Sequence, residues 1–195
     1  MLDYLLFYGS YRPQRNGIRL ARYISARLKE RGHKPELVDA KDIGLPILER
    51  RTSDYGKGEA PGKLAALGER IAAADAFIFV AGEYNHGVQP GLKNLVDHFL
   101  KEWQRRPAGI ASYSIGGFAG IRALAAWRTI LPAVGVAPIP ASFTVPKITS
   151  LLDENGGPTE EAGEDFRRRF DDFADELQWW AEAVKDRRSK GGGPA

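Results

Sequence analysis

Residues 9–18 (GSYRPQRNGI) concentrate side chains that bind anions, directly after a short apolar run. Ser10 offers a hydroxyl and Asn16 an amide, while Arg12 and Arg15 offer planar guanidinium groups that match the oxygens of a phosphate. The segment joins a predicted strand to the start of a predicted helix, where unpaired backbone N–H groups and the helix dipole favour negative charge. It is neither a GxGxxG dinucleotide loop nor a Walker A loop. These residues indicate an anion site, and an ordinary turn capped by Asn16 is the alternative.

A second polar loop, residues 83–91 (EYNHGVQPG), follows another apolar run. Its hydrogen-bond donors and acceptors surround Tyr84, and Gly87 lets the backbone approach a flat ligand closely. Such a loop suits the edge of a heteroaromatic ring. Asn85, Gly87, Pro90 and Gly91 are equally typical of plain turns, so the alternative is a connecting loop without a ligand.

A third loop, residues 112–120 (SYSIGGFAG), is rich in glycine and precedes a predicted helix. Gly116 and Gly117 allow backbone N–H groups to point at a carbonyl or anionic edge of a ligand. A simple helix-entry loop is the alternative. The three loops carry more information together, provided that the fold brings them to one place.

The elements that must position these loops alternate along the chain. Apolar runs predict strands at 2–8, 76–81, 108–113 and 136–144, with a weaker candidate at 34–39. Helical periodicity predicts helices at 16–32, 62–74, 120–134 and 159–187, and one that follows the second loop. Residues 40–62 are rich in glycine, proline and charge, and are interpreted as a long loop. The apolar positions of the two most amphipathic helices are Leu92, Leu95, Val96, Phe99, Leu100 and Trp103, and Phe166, Phe170, Phe173, Leu177, Trp180 and Val184.

Strict alternation of strands and helices predicts an α/β fold, a flavodoxin-like, doubly wound sheet of five parallel strands in the order 2-1-3-4-5, with helices on both faces. Ligands of such sheets bind at the carboxyl ends of the strands, which is where all three loops lie. We expect one domain over residues 1–188 and a disordered tail over 189–195, because KGGGPA has nothing to pack.

Composition excludes several classes of protein. The chain has 195 residues, of which 43% are hydrophobic and 27% charged, unlike a disordered protein. It has no cysteine, which excludes disulfide scaffolds, thiolate metal sites and a cysteine nucleophile. The three histidines are scattered, so no metal site is expected. No apolar stretch approaches the ~20 residues of a membrane span, and a cytoplasmic location is expected.

Charge is distributed unevenly along the chain. Residues 1–152 hold 21 basic and 13 acidic side chains, a net charge of +8, and residues 153–195 have a net charge of −5. A basic body favours an anionic small partner or nucleic acid, while plain solvated surface is the alternative. Nucleic acid is disfavoured because no basic stripe with interleaved aromatic residues and no docking motif is evident.

Together, the segments GSYRPQRNGIRLARYI, AGEYNHGVQPGLKNLVDHFL and SYSIGGFAGIRALAAWRTIL resemble the NAD(P)H-dependent FMN reductase family, over about residues 3–135. The resemblance implies FMN, and a hydride from NADPH or NADH passed by a ping-pong mechanism to a small acceptor such as a quinone, free flavin or azo compound. It also implies a homodimer or homotetramer. A flavodoxin-like electron carrier, without its own turnover of NAD(P)H, is the alternative function.

The resemblance also implies which residues hold the flavin. Because the flavin carries the chemistry, no catalytic side chain is expected, and the backbone N–H groups of residues 116–118 are the expected stabilisers of charge on the ring. Departures from the family pattern are Gly82 and Gln89, which both stand where proline is usual. The implied contacts are Ser10, Arg12, Arg15, Asn16, Gly17 and Ile18 for the phosphate, Glu83, Tyr84, Asn85, His86 and Gly87 for the ring, and Ser112, Ser114, Gly116 and Gly117 in the third loop.

The roles of three polar or aromatic features stay open at this point. His86 either hydrogen-bonds its own loop, which we favour, or donates to a quinone oxygen. Lys93 and Asp97 form either an ordinary i, i+4 helical ion pair or an inter-subunit contact near the flavin, as the resemblance implies. Trp179 and Trp180 are interpreted as part of the core stripe of the last helix, and packing on a second protomer is the alternative.

Overall fold

A computed structural model describes residues 1–191 of the chain. The strands are β1 (Asp3–Tyr8), β2 (Lys34–Asp39), β3 (Ala76–Tyr84), β4 (Gly87–Val88), β5 (Arg106–Tyr113) and β6 (Val136–Val145). Five of them are parallel and lie in the order β2-β1-β3-β5-β6, while the short strand β4 pairs antiparallel with β3. Because β5 and β6 are the predicted fourth and fifth strands, this order confirms the predicted order 2-1-3-4-5.

Helices cover both faces of the sheet, because the strand side chains alternate between two apolar layers. Tyr4, Leu6 and Tyr8 of β1 pack in one layer, and Leu5 and Phe7 pack in the other. Helices α1 and α7 close the first layer, while α3, α4 and α5 close the second. The helices are α1 (Gly17–Glu30), α2 (Ala40–Ile43), α3 (Gly62–Ala73), α4 (Pro90–Asp97), α5 (Ile121–Ala133), α6 (Ile148–Leu151) and α7 (Gly163–Ser189).

Two predicted segments between β2 and β5 differ from the structure. The stretch 40–62 is not wholly a loop: α2 opens it, since the Asp39 side chain accepts a hydrogen bond from the Lys41 N–H at 3.0 Å, and a 3₁₀ turn follows at Thr52–Asp54. The helix after the second loop ends at Asp97 instead of continuing to Trp103. Trp103 lies in a separate 3₁₀ turn, and its indole N–H donates to the Val96 carbonyl at 3.1 Å.

The last helix also differs in its limits and in its buried face. Helix α7 begins at Gly163 and runs to Ser189, one residue into the predicted tail, and residues 192–195 of that tail lie outside the described residues. Trp180, which the sequence predicts to belong to the buried apolar stripe of this helix, is exposed, and the neighbouring Ala181 is buried instead. Among residues 1–191, no helix combines the length and apolar character that crossing a membrane requires.

Candidate functional site

The three polar loops meet at the carboxyl edge of the sheet, as the fold predicts. A cavity of about 220 Å³ lies between them. Its walls come from the loop after β1, the end of β3 and the loop after β5, so residues far apart in the sequence face one space. The lining residues are Ser10, Arg12, Gln14, Asn16, Gly82, Glu83, Tyr84, Tyr113, Ser114 and Ile115.

The first loop presents polar groups to this cavity at the start of α1. Asn16 occupies the N-cap position, but its side chain makes no capping hydrogen bond, and the first turn of α1 holds no acidic residue. The side chains of Arg12 and Asn16 form no hydrogen bond or ion pair with residues 1–191. Ser10 Oγ hydrogen-bonds Tyr84 Oη at 3.0 Å, which joins the first loop to the second. The positive end of α1 is therefore open toward the cavity.

Arg15 has a different role from the one that the sequence suggests. Its guanidinium group pairs with the buried Asp39, donates from Nε to the Ser10 carbonyl at 3.1 Å and lies 5.1 Å from the centroid of the Tyr8 ring. Burial lowers the pKa of Arg15, but the hydrogen bond and charge of Asp39 outweigh burial and raise it overall. Arg15 does not line the cavity, since it is committed to β2 and to the backbone that carries Ser10.

Gly17 and Ile18 also contribute through packing. A Cβ on Gly17 would come within 2.1 Å of the Tyr113 ring, so only glycine lets α1 start this close to β5. Ile18 is half-buried against the layer that α1 and α7 close. Neither side chain lines the cavity, and the Ile18 N–H already donates to the Arg15 carbonyl at 2.9 Å, so the Gly17 N–H is the backbone group here that could meet an anion.

The second loop is a tight β-hairpin between β3 and β4. Asn85 and His86 have φ values of 48° and 65°, the left-handed conformation that a two-residue hairpin turn requires. Both are exposed, and neither side chain hydrogen-bonds the rest of residues 1–191, so the favoured loop bond of His86 is not formed here. The Glu83 carboxylate accepts from the Arg122 backbone N–H at 3.0 Å and from Arg122 Nη1 at 3.2 Å. Glu83 therefore ties this hairpin to the start of α5.

The two departures from the family pattern are joined by a hydrogen bond. Gly82 N–H donates to Gln89 Oε1 at 2.9 Å, and Gln89 Nε2 donates to Tyr113 Oη at 3.0 Å. Gln89 is completely buried, so both bonds form away from water. A Cβ on Gly82 would lie 2.7 Å from Tyr113 Oη. Gln89 thus connects the ends of β3 and β5 beneath the cavity.

The third loop is held in shape by its own side chains and by β6. Ser114 Oγ donates to the Gly116 carbonyl at 2.7 Å, and the Lys147 N–H donates to the same carbonyl at 2.9 Å. Gly116 and Gly117 are exposed, with no atom within 4 Å of where a Cβ would stand, so their backbone is open to a ligand. Ser112 is fully buried, and its hydroxyl has no partner within the described chain. Ser112 is not among the residues that line the cavity, and its expected flavin contact stays a prediction.

A wider cavity of about 760 Å³ lies on the other side of Tyr84, against α4. Lys93 and Asp97 form the expected i, i+4 ion pair on its wall. Tyr11 and Ile47 are 47% and 85% exposed at its rim. Tyr84 lines both cavities, so the two spaces are neighbours.

Sequence reasoning did not single out Gln14, Ile115 and Arg122 as site residues. Gln14 and Ile115 line the smaller cavity, and Arg122 fixes Glu83 from the start of α5. Gln14 lies within the polar first loop and Ile115 beside Gly116, which were the available signals. Arg122 has no comparable signal, because its partner is 39 positions away in the sequence.

Known proteins resemble this chain in sequence and in fold. A family model described as NADPH-dependent FMN reductase matches residues 2–150. An NAD(P)H-dependent FMN reductase of Schizosaccharomyces pombe is 31% identical over 138 residues, 67% of this chain and only 64% of that relative's length. A 2-hydroxy-1,4-benzoquinone reductase of a Burkholderia species is 27% identical over 157 residues, 77% of this chain and 80% of that protein. The flavoenzyme NAD(P)H:(acceptor) oxidoreductase FerB from Paracoccus denitrificans shares the fold, with a TM-score of 0.72 and 20% identity over 95% of this chain and 98% of that one.

Proposed function

The chain belongs to the NADPH-dependent FMN reductase family, and we propose that it is an FMN-dependent oxidoreductase. NADPH or NADH gives a hydride in one half-reaction, and a small acceptor such as a quinone, free flavin or azo compound takes it in the next. The observation on which this proposal depends is the cavity that Arg12, Asn16 at the uncapped start of α1, and Ser114 of the third loop line together. The proposal includes a single domain over residues 1–188, a cytoplasmic location and a homodimer or homotetramer, with no nucleic-acid partner.

The residues around the cavity fit FMN. Its phosphate would be held by Arg12, Ser10, Asn16 and the Gly17 N–H at the start of α1, where the charge of Arg12 and the helix dipole act together. Arg15 supports this site indirectly, because it fixes the carbonyl of Ser10. FMN supplies the hydride-transfer chemistry when it is bound.

The remaining loop residues would orient the ring and stabilise charge. Tyr84 at the start of the hairpin and Ser114 and Ile115 of the third loop border the cavity. Preorganised N–H groups at residues 116–118 would stabilise negative charge at the ring edge without reorganising, because hydrogen bonds from Ser114 and Lys147 fix the carbonyl of Gly116. We expect one face of the ring to stay open, so that the nicotinamide leaves before the acceptor enters and turnover alternates.

The visible spectrum of the FMN-reconstituted protein tests this proposal. We expect flavin absorbance to remain with the protein after desalting, to bleach on anaerobic addition of NADPH, and to return on addition of benzoquinone. Bands that persist with both NADPH and NADH would instead favour the electron carrier. Failure to retain FMN would contradict the anion site of the first loop.

Matched variants show whether retention depends on that loop. Arg12→Ala removes an exposed cation at the cavity, and Lys57→Ala removes an exposed cation outside it, so both change the net charge equally. We expect Arg12→Ala to weaken FMN binding about tenfold, equivalent to 1.4 kcal/mol. Lys57→Ala should bind FMN as the unsubstituted protein does, and equal losses in both variants would contradict the proposed phosphate contact.

A further inference from the structure

A third cavity, of about 710 Å³, lies at the amino-terminal edge of the sheet, opposite the proposed flavin site. Strand β5 connects the two ends: Arg106 at its start lines this cavity, and Tyr113 at its end lines the flavin cavity. The eight residues of β5 separate them by about 23 Å at ~3.3 Å per residue. We call this space the tryptophan cleft, bounded by Lys101 and residues 104–106 on one side and by residues 179–188 of α7 on the other.

Two neighbouring indoles give the cleft an aromatic wall. Trp179 is 63% exposed and Trp180 is 37% exposed, and their rings meet edge to face with centroids 5.0 Å apart. The other two tryptophans, Trp103 and Trp127, are completely buried. Exposed, adjacent indoles therefore set this end of α7 apart from the core stripe, and they offer apolar faces to a flat ligand.

The opposite wall and the rim of the cleft are basic. Lysine or arginine side chains line it at five positions, and no acidic residue does. The nearby Asp75 already accepts from Lys185 at 2.7 Å and from Arg188 at 3.0 Å. In contrast, the side chains of Lys101 and Arg105 form no hydrogen bond or ion pair with residues 1–191. The cleft therefore holds positive charge that the described chain does not neutralise.

Arg106 and Arg105 each show one unusual property. Burial, followed by the charge of Arg188, lowers the pKa of Arg106 to about 10. Arg105 has a φ of 62°, a left-handed conformation that favours glycine, yet the position carries a cationic side chain.

We propose that the tryptophan cleft binds a planar aromatic phosphate, with its ring against Trp179 and Trp180 and its phosphate beside Lys101 and Arg105. The volume lies within the range of small-molecule pockets, and both parts of such a ligand find matching walls. An acidic protein segment would match the charge but not the paired indoles. This site is separate from the proposed flavin site and does not depend on the function assigned there.

Titration calorimetry of the protein with ADP, run with and without FMN, tests the site. We expect one ADP to bind per chain, more tightly than adenosine or pyrophosphate alone, because each of these lacks one of the two interactions. Trp179→Ala and Arg105→Gly should each weaken ADP at least tenfold while FMN stays bound. Arg105→Gly is informative because glycine adopts this backbone conformation freely, so its loss of binding would not reflect a damaged fold. Lys57→Ala serves as the control of equal charge and should bind ADP normally.

Other outcomes would overturn the proposal. Absence of ADP binding at millimolar concentration would do so, as would binding that Trp179→Ala and Arg105→Gly leave unchanged, since the ADP would then lie elsewhere. A sedimentation mass that falls in Trp179→Ala would show that a second copy of the chain covers the cleft instead.

Discussion

At the residue scale, Gln89 and Gly82 act as a pair. A proline at position 82 would have no N–H, whereas the buried Gly82 N–H needs an acceptor and finds it in Gln89 Oε1. The same side chain satisfies the Tyr113 hydroxyl, so one amide serves two strand ends. In the sequence, Gly82 and Gln89 are two separate departures from the family pattern. The hydrogen bond shows that they are linked, because Gln89 supplies the acceptor that the Gly82 N–H needs. No local sequence pattern reveals this link.

Replacing Gln89 by leucine tests this link. Gln89→Leu removes the acceptor of the Gly82 N–H and the amide donor to the Tyr113 hydroxyl, at a cost of about 1–3 kcal/mol for each buried group left unpaired. Tyr113→Phe removes the hydroxyl itself, so the double variant should lose about 1 kcal/mol less than the sum of the single variants. Urea unfolding of the four proteins measures the difference. Strict additivity would show that Gln89 and Tyr113 do not interact.

Arg12 and Arg15, for which the sequence predicts the same role, also differ at this scale. We expect Arg15→Ala to lower the free energy of unfolding by about 3 kcal/mol, because the Asp39 carboxylate, only 4% exposed, loses its counter-charge and keeps only the hydrogen bond from the Lys41 N–H. Arg12→Ala, at an exposed position, should change it by less than about 0.5 kcal/mol. FMN binding should become less sensitive to salt in Arg12→Ala but keep its salt dependence in Arg15→Ala. Denaturation measures the unfolding free energy, and FMN titrations at two salt concentrations measure the salt dependence of binding. If the two variants agreed in both quantities, Arg12 and Arg15 would not have the different roles proposed here.

At the scale of elements, glycines allow the site loops to converge. A Cβ on Gly9 would come within 2.3 Å of the Leu92 backbone nitrogen in α4, and one on Gly17 would overlap Tyr113. The strands themselves were predictable, since continuous apolar runs identify buried parallel strands. The early end of α4 was not predictable from apolar spacing alone. Phe99 and Trp103 are buried as that spacing suggests, but they reach the core from a turn instead of a helix.

A methyl group at the start of α1 tests the close approach. Gly17→Ala should lower the free energy of unfolding by about 1–3 kcal/mol, because the ring of Tyr113 or the helix must move. It should also reduce FMN retention, since the open end of α1 moves with it. Gly62→Ala is the matched control: its Cβ meets nothing within 4 Å at the start of α3, so stability should be unchanged or rise by up to about 1 kcal/mol. Equal stability of the two variants would disprove the steric constraint.

For the whole molecule, the sheet separates two chemically different ends. The carboxyl edge combines the proposed anion-binding loop with exposed backbone, and the amino edge carries the basic and aromatic tryptophan cleft. The fold class and the convergence of the loops follow from the alternation of strands and helices. The cleft does not, because helical spacing places Trp180 in the core stripe, and only the packing of Ala181 shows that the indole faces outward.

Assembly of the proposed homodimer can be assigned to one of these ends. The cavity against α4 exposes Ile47 and Tyr11 beside the Lys93–Asp97 pair, and it borders the flavin cavity through Tyr84. A second chain covering this face would bury those apolar side chains. We therefore expect Ile47→Glu to lower the sedimentation mass to that of one chain and to weaken FMN retention, because a carboxylate would be buried next to Asp97.

Trp179→Glu is the counterpart at the opposite end, with the same change of charge at another exposed apolar side chain. It should leave the assembly intact, because the tryptophan cleft is assigned to a small ligand. If Trp179→Glu separates the protomers and Ile47→Glu does not, the contact between protomers lies at α7. The proposed aromatic phosphate site then loses its basis. A mass that neither substitution changes would show that the face against α4 is not the contact between protomers, since a buried, unpaired carboxylate cannot persist in a stable interface.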